Sequence, residues 1–227
     1  MDAMVLATYK DLCIDAVDAE RMGRFWSAAL RLDLELLDDG DARLSGPRPQ
    51  DTVWVNTVPE PVTVKQRVHL DIRADSDQQV VELGATVVDA ESFRWTLMKD
   101  PEGGELCVFR TRPDGPPGLM EICVDTATGE SAQEMARWWA DVLGGKADDE
   151  RDYSYVEQIP GAPFEYLVLN PVPEPKTVKN RIHLDVTTSD LDALVDRGAS
   201  LLRAADEEVG WNVMADPDGN EFCAFVR

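Results

Sequence analysis

Two stretches of the chain carry the same alternation of ionisable side chains. Lys65, Arg67, His69 and Asp71 occupy every second position of KQRVHLD, and Lys179, Arg181, His183 and Asp185 do the same in KNRIHLD. Alternate residues of an extended strand share a face, so each set reads as one row of two cations, an imidazole and a carboxylate. Two kinds of chemistry suit such a row. Arg67 and Arg181 either hold the aspartates in an ion-pair ladder or hold an anionic ligand. For His69 and His183, the plainer role is a half-buried strand histidine bonded to a neighbouring carboxylate.

The elements that position these rows follow from self-comparison. VPEPVTVKQRVHLD (58–71) matches VPEPKTVKNRIHLD (172–185) at eleven of 14 positions, at a constant offset of 114. Further on the offset becomes 116, where Trp95 meets Trp211, Met98 meets Met214, and DPEGGELCVF (100–109) meets DPDGNEFCAF (216–225). Upstream, Cys13-Ile14-Asp15 faces Cys123-Val124-Asp125, and Arg24–Trp26 faces Arg137–Trp139. One unit of about 110 residues is therefore used twice. The expected domains are 1–112 and 119–227, joined by a Pro/Gly linker over 113–118.

In the first copy the patterning predicts a strand over 12–17 and an amphipathic helix over 19–30. Strands follow over 32–37, 42–45 and 52–58, and then Pro59 and Pro61 stop regular structure. A strand over 67–73 places His69 and Asp71 opposite Val68, Leu70 and Ile72. A helix over 76–83 with Gly84 as its cap comes next, then strands over 86–89, 94–99 and 105–109. Trp26 and Trp139 belong to the helices and to the core. Trp95 and Trp211 read equally as core or as the wall of a cleft. The four cysteines, Cys13, Cys107, Cys123 and Cys223, have no C-x-x-C spacing, lie in apolar runs and read as free buried thiols.

The order βαβββ–βαβββ, with KNRIHLD and W-x-x-M-x-DP-x-GNEFC, resembles the glyoxalase-like branch of the vicinal oxygen chelate superfamily, which includes glyoxalase I, bleomycin-resistance proteins and extradiol dioxygenases. The resemblance covers nearly the whole chain, once per repeat. It implies an α+β fold of tandem domains, in which two βαβββ modules form a curled mixed sheet around a cleft. Carried over residue by residue, it implies metal ligands at His69 and Glu105 in one cleft and at His183 and Glu221 in the other, suited to Zn, Ni, Mn or Fe. The first-module positions depart from the family pattern: Cys13/Asp15 and Cys123/Asp125 replace the first-strand ligand, and Asn56 and Asn170 stand nearest the second. With one histidine per repeat, a two-histidine iron triad does not form.

Composition narrows the function. Lys and Arg number 22 against 44 Asp and Glu, a formal charge of −22, so a broad phosphate-neutralising face is excluded, and with it nucleic acid and anionic lipid as partners. With 44% hydrophobic residues the chain has material for packed cores. No basic-then-apolar leader and no run of about 20 apolar residues is readable, so a cytoplasmic, reduced protein is expected. Nucleophile-elbow, P-loop and dinucleotide-binding patterns are absent from the sequence. The expected function is binding of a small organic ligand in one or both clefts, with Arg67, Asp71, Trp95, Arg181, Asp185 and Trp211 as contact residues. The alternative is a metal-dependent lyase, isomerase or transferase working through the His/Glu sites. The two domains are expected to pair within the chain, as monomer or homodimer.

Overall fold

The computed structural model describes residues 5–112 and 115–227; positions 113 and 114 of the expected linker and the first four residues lie outside the described part. Four βαβββ modules follow one another. The first is β1 (Ala7–Ala16), α1 (Ala19–Leu30), β2 (Asp33–Leu36), β3 (Ala42–Ser45) and β4 (Val53–Thr57). The second is β5 (Val68–Ala74), α2 (Asp77–Glu82), β6 (Thr86–Asp89), β7 (Thr96–Lys99) and β8 (Glu105–Arg110). The third is β9 (Gly118–Thr126), α3 (Gly129–Leu143), β10 (Lys146–Asp149), β11 (Ser154–Glu157) and β12 (Tyr166–Pro171). The fourth is β13 (Ile182–Thr188), α4 (Leu191–Asp196), β14 (Ser200–Arg203), β15 (Asn212–Ala215) and β16 (Glu221–Val226).

The helices begin and end where side-chain chemistry dictates. Asp18 caps α1 by accepting the Arg21 N–H, and Thr128 caps α3 by accepting that of Ser131. Gly144 ends α3 in the left-handed region at φ 74°, which costs a residue without Cβ nothing. Met22, Phe25, Trp26 and Leu30 of α1, and Met135, Trp139, Val142 and Leu143 of α3, form buried stripes; Trp26 and Trp139 are core residues, as patterned. Among the described residues no helix is long and apolar enough to cross a membrane.

Two mixed sheets of eight strands result. Sheet I has the order β14-β15-β16-β13-β1-β4-β3-β2, and sheet II the order β10-β11-β12-β9-β5-β8-β7-β6. Each sheet holds two modules, as the family pattern implies, but the two come from different copies of the repeat. Module one joins module four through antiparallel β1 and β13; module two joins module three through β5 and β9. A reading of each repeat as a self-contained sheet is therefore corrected. The physical reason lies in the connectors. Pro59 and Pro61, with Pro173 and Pro175 in the second copy, resist turning back and carry the chain across to the other sheet.

Candidate functional site

The floor of the site in sheet I is the β1–β13 ladder. Cys13 stands opposite His183, and Asp11 opposite Asp185. The register shifts between Tyr9 and Asp11, so Lys10 is the extra residue of a β-bulge. A bulge re-aims side chains, and here it turns Lys10 into the cleft beside Asp11 rather than away from it. Lys10 Nζ lies 2.5 Å from Asp11 Oδ2, 4.0 Å from Asp185 Oδ2 and 4.1 Å from the centre of the Phe225 ring. Parallel pairing sets Trp54 and Asn56 of β4 beside Cys13 and Asp15, and Cys223 of β16 beside Asp185. The opposite face of the same strands, Leu12, Ile14, Leu184 and Val186, is buried in the core.

A cavity of about 450 Å³ opens over this floor. Its lining runs from Leu37 and Asp41 beside β2 and β3 to Arg203 on β14, so the sheet curls until its two ends share one space. Trp54, Trp211 and Phe225 supply aromatic wall; Trp211 and Phe225 stack at 5.7 Å. Trp54 Nε1 donates to Asp11 Oδ2 at 3.2 Å.

Polar groups on the floor are short of partners. Cys13 Sγ donates to Asp185 Oδ2 at 3.6 Å, and His183 Nε2 lies 3.4 Å from Cys223 Sγ and 3.6 Å from Asp185 Oδ1. Asp11 Oδ1, Asp185 Oδ1 and His183 Nδ1 are buried without a hydrogen-bond partner. Burial, then the charge and hydrogen bond of Asp11, push the Asp185 carboxyl up to about 8 against the opposing pull of Lys10. Burial likewise holds His183 below the ordinary imidazole value and the Cys13 thiol far above its own. Burial thus favours the neutral forms of Cys13, His183 and Asp185.

Sheet II repeats this floor. His69 faces Cys123, Asp71 faces Glu121, and Met120 occupies the bulge. His69 Nε2 is 3.4 Å from Asp71 Oδ1. Burial lowers the basicity of His69, but the hydrogen bond and charge of Asp71, with Asp125 behind it, outweigh burial and leave it raised. Glu121 is pushed up to about 8 by burial and by Asp71 and Glu165, against Arg73. Trp95 is sandwiched between Phe93 at 5.0 Å and Phe109 at 5.4 Å. All four cysteines are buried and free, as expected, two on each floor.

The rows of alternating charges are split by the fold. His69 with Asp71, and His183 with Asp185, lie on the floors of separate sheets, whereas their lysines and arginines tie the two copies together. Lys65 bonds Asp125 and Lys179 bonds Asp15, the latter at 2.6 Å. Arg67 donates to the carbonyls of Glu174 at 2.6 Å and Asp125 at 2.7 Å. Arg181 donates to the Glu60 carbonyl and to Glu102 Oε2, the latter at 3.2 Å. Among the described residues neither arginine pairs with the aspartate of its own row. Glu221 shares the cavity with His183, but its carboxylate accepts from Lys176 Nζ at 2.7 Å and from the Asn180 N–H at 3.1 Å. Glu105 lies 3.7 Å from Lys65.

The ligating atoms that do converge are those of Cys13, His183 and Asp185 in sheet I and of His69, Asp71 and Cys123 in sheet II, within 4.8 Å in each group. Thiolate, imidazole and carboxylate are a donor set for a borderline divalent ion such as zinc, and the unpartnered carboxylate oxygens and imidazole nitrogens fit one. Asp11 and Glu121 escape a reading that starts the first strand at position 12. Their signal is the recurrence D-L-C-I-D (11–15) and E-I-C-V-D (121–125), an acid two residues before each cysteine.

A profile of the glyoxalase-like domain matches the sequence twice, over residues 11–109 and 121–225. Among solved structures, glyoxalase I from Zea mays is 16% identical, with 97% of this chain and 92% of that one covered, at a TM-score of 0.64. A putative dioxygenase from Bacillus subtilis subsp. subtilis str. 168 is 10% identical, with 97% and 86% covered, at 0.58. The cppA protein of Streptococcus pneumoniae TIGR4 is 9% identical, with 98% and 99% covered, at 0.54. At these identities the likeness is one of fold. No curated protein matches the sequence.

Proposed function

The chain belongs to the glyoxalase-like domain family in both of its halves, and from that premise we propose that it binds a small, flat organic molecule in the cleft of sheet I. The observation that carries this reading is the cavity of about 450 Å³ with Trp54, Trp211 and Phe225 in its wall and a floor of polar groups short of partners. Ligand sites combine an apolar, aromatic wall with a few convergent polar groups in this way. Asp185 and Trp211 are the contacts expected of a ligand here. Asp71 and Trp95 are their counterparts in sheet II, while Arg67 and Arg181 act through the position of the connectors. The test is a thermal-shift screen of flat heterocycles and phenols, in which a ligand that stabilises the protein loses about tenfold in affinity with Trp211→Ala. An affinity untouched by Trp211→Ala removes the cleft of sheet I as the site.

The convergence of Cys13, His183 and Asp185 supports a second reading, a metal-dependent lyase, isomerase or transferase. His183 and Asp185 would hold the ion together with Cys13, and His69, Asp71 and Cys123 would do so in sheet II. Glu221 and Glu105 become ligands only on release from their lysines. A bound divalent ion supplies Lewis-acid polarisation of a substrate oxygen. The protein's own part would be to hold the ion on the floor through these side chains, with Asp11 directly opposite Asp185, and to exclude water with Trp54 and Trp211. Elemental analysis of protein purified without a metal-affinity tag or chelator separates the readings. About one Zn, Ni, Mn or Fe per floor supports the second, and none after soaking leaves ligand binding alone.

A further inference from the structure

The two copies meet on a pseudo-twofold axis, where the most alike segments of the sequence, 58–67 and 172–181, face each other across a groove of about 560 Å³. Its walls include Pro61, Val64, Pro175 and Val178; Val64 and Val178 are exposed although apolar. In a chain of net charge −22, four cations line this groove, Lys65, Arg67, Lys179 and Arg181, together with the acids Asp15, Glu60 and Glu174.

Three of the four are neutralised by a carboxylate. Lys65 meets Asp125, Lys179 meets Asp15, and Arg181 meets Glu102. Glu102 is fixed there because its carboxylate also accepts the N–H groups of Val17 at 2.9 Å and Asp18 at 2.8 Å. The twofold symmetry breaks at the fourth. The counterpart of Glu102, through DPEG and DPDG, is Asp218, one methylene shorter. Among the described residues, no carboxylate lies within ion-pair distance of Arg67. Arg67 is 8% exposed, and its guanidinium uses two of five donors, both on carbonyls, while Nε is buried without a partner. A buried guanidinium without a counter-charge is costly, and the open groove beside it is where an anion would sit.

We propose that this groove is a ligand site separate from both clefts, which takes a small organic carboxylate. Its head group pairs with Arg67, as Glu102 pairs with Arg181, and its apolar body lies across the axis between Val64 and Val178. The site depends on neither reading of the clefts.

Titration of the full chain with sodium octanoate, followed by calorimetry, tests this. One octanoate per chain is expected, and octanol, which has the same tail without the charge, is expected to bind at least about tenfold more weakly. Asp218→Glu supplies the missing methylene and brings a carboxylate of the chain itself to Arg67. It is expected to weaken octanoate about tenfold or more while raising the melting temperature, so the loss is not one of folding. Val178→Asp is expected to weaken octanoate from the tail side. No binding at about 10 mM octanoate, equal binding of octanol, or an affinity unchanged in Asp218→Glu would each overturn the proposal.

Discussion

On the floor of sheet I, Asp185 faces Asp11 with Lys10 in the adjoining bulge and Trp54 beside Cys13; on the floor of sheet II, Asp71 faces Glu121 with Met120 in the bulge and Val168 beside Cys123. The two floors therefore keep the same chemistry, a histidine, two cysteines and two directly opposed acids, under different walls. Acids opposite one another in a ladder repel. In sheet I the repulsion is offset by Lys10, which also lies over Phe225. In sheet II it is offset by Arg73, whose guanidinium grips Glu165 through two bonds of 2.6 and 2.7 Å at the same time. Between the two sheets the ionisable floor is kept and its surroundings differ: Lys10 and Trp54 in sheet I stand where sheet II has Met120 and Val168.

The largest effect comes from separating the copies. Cut ahead of β9, within 113–117, each half lacks the partner module of both its sheets and exposes the edges of two central strands. Each half alone should self-associate or fail to fold, and mixing should restore the near-ultraviolet circular dichroism of the full chain. Two folded monomeric halves would show that the exchanged pairing is dispensable and that the clefts can be built independently.

Metal binding tests whether the floors are equivalent. If they are, zinc titration saturates at two ions per chain, and His183→Ala and His69→Ala each remove one, with a loss of about 100-fold or more at the altered floor. A His183→Ala protein that still binds two would take the metal reading away from sheet I. Relief of the opposed acids has a smaller effect. In metal-free protein above about pH 8, where Glu121 ionises, Glu121→Gln is expected to raise stability by about 1 kcal/mol, because it removes a like-charge pair and leaves a hydrogen-bonding group. Asp11→Asn should give less, since Lys10 loses its carboxylate; urea unfolding of the two variants measures the contrast.

The smallest effect separates the two histidines by sign. His69 is raised and His183 lowered relative to the ordinary imidazole value. A raised histidine contributes stability below its unfolded-state pKa, and that contribution is lost as pH rises through the folded value. A lowered one contributes above the unfolded-state pKa, and loses that as pH falls through its folded value. In chelator-treated protein, proton NMR should show His69 titrating at higher pH than His183. The reverse order would mean that Asp71 does not hold its imidazole as the structure has it.

Much was legible in the residues themselves. Apolar periodicity and the Pro/Gly punctuation located the helices and most strands to within a residue or two, since those signals are local. The internal match at one offset revealed the repeat, and alternation put His69 with Asp71 and His183 with Asp185 on one face. The start of β1 was not legible, because Thr8, Lys10 and Asp11 are polar for a central strand, and the bulge at Lys10 breaks the alternation that would have marked it.

Three matters were decided only in three dimensions. Which module completes which sheet depends on the stiffness and direction of the proline connectors, and sequence spacing treats β1 with β5 and β1 with β13 alike. That Arg181 meets the carboxylate of Glu102 while Arg67 meets only carbonyls is seen only where the copies touch. The burial that leaves Asp185 and Glu121 near neutrality arises from the curl of a whole sheet over its own floor. Local pattern determined the elements and the faces; long-range closure, which brings residues more than a hundred positions apart into contact, determined the site.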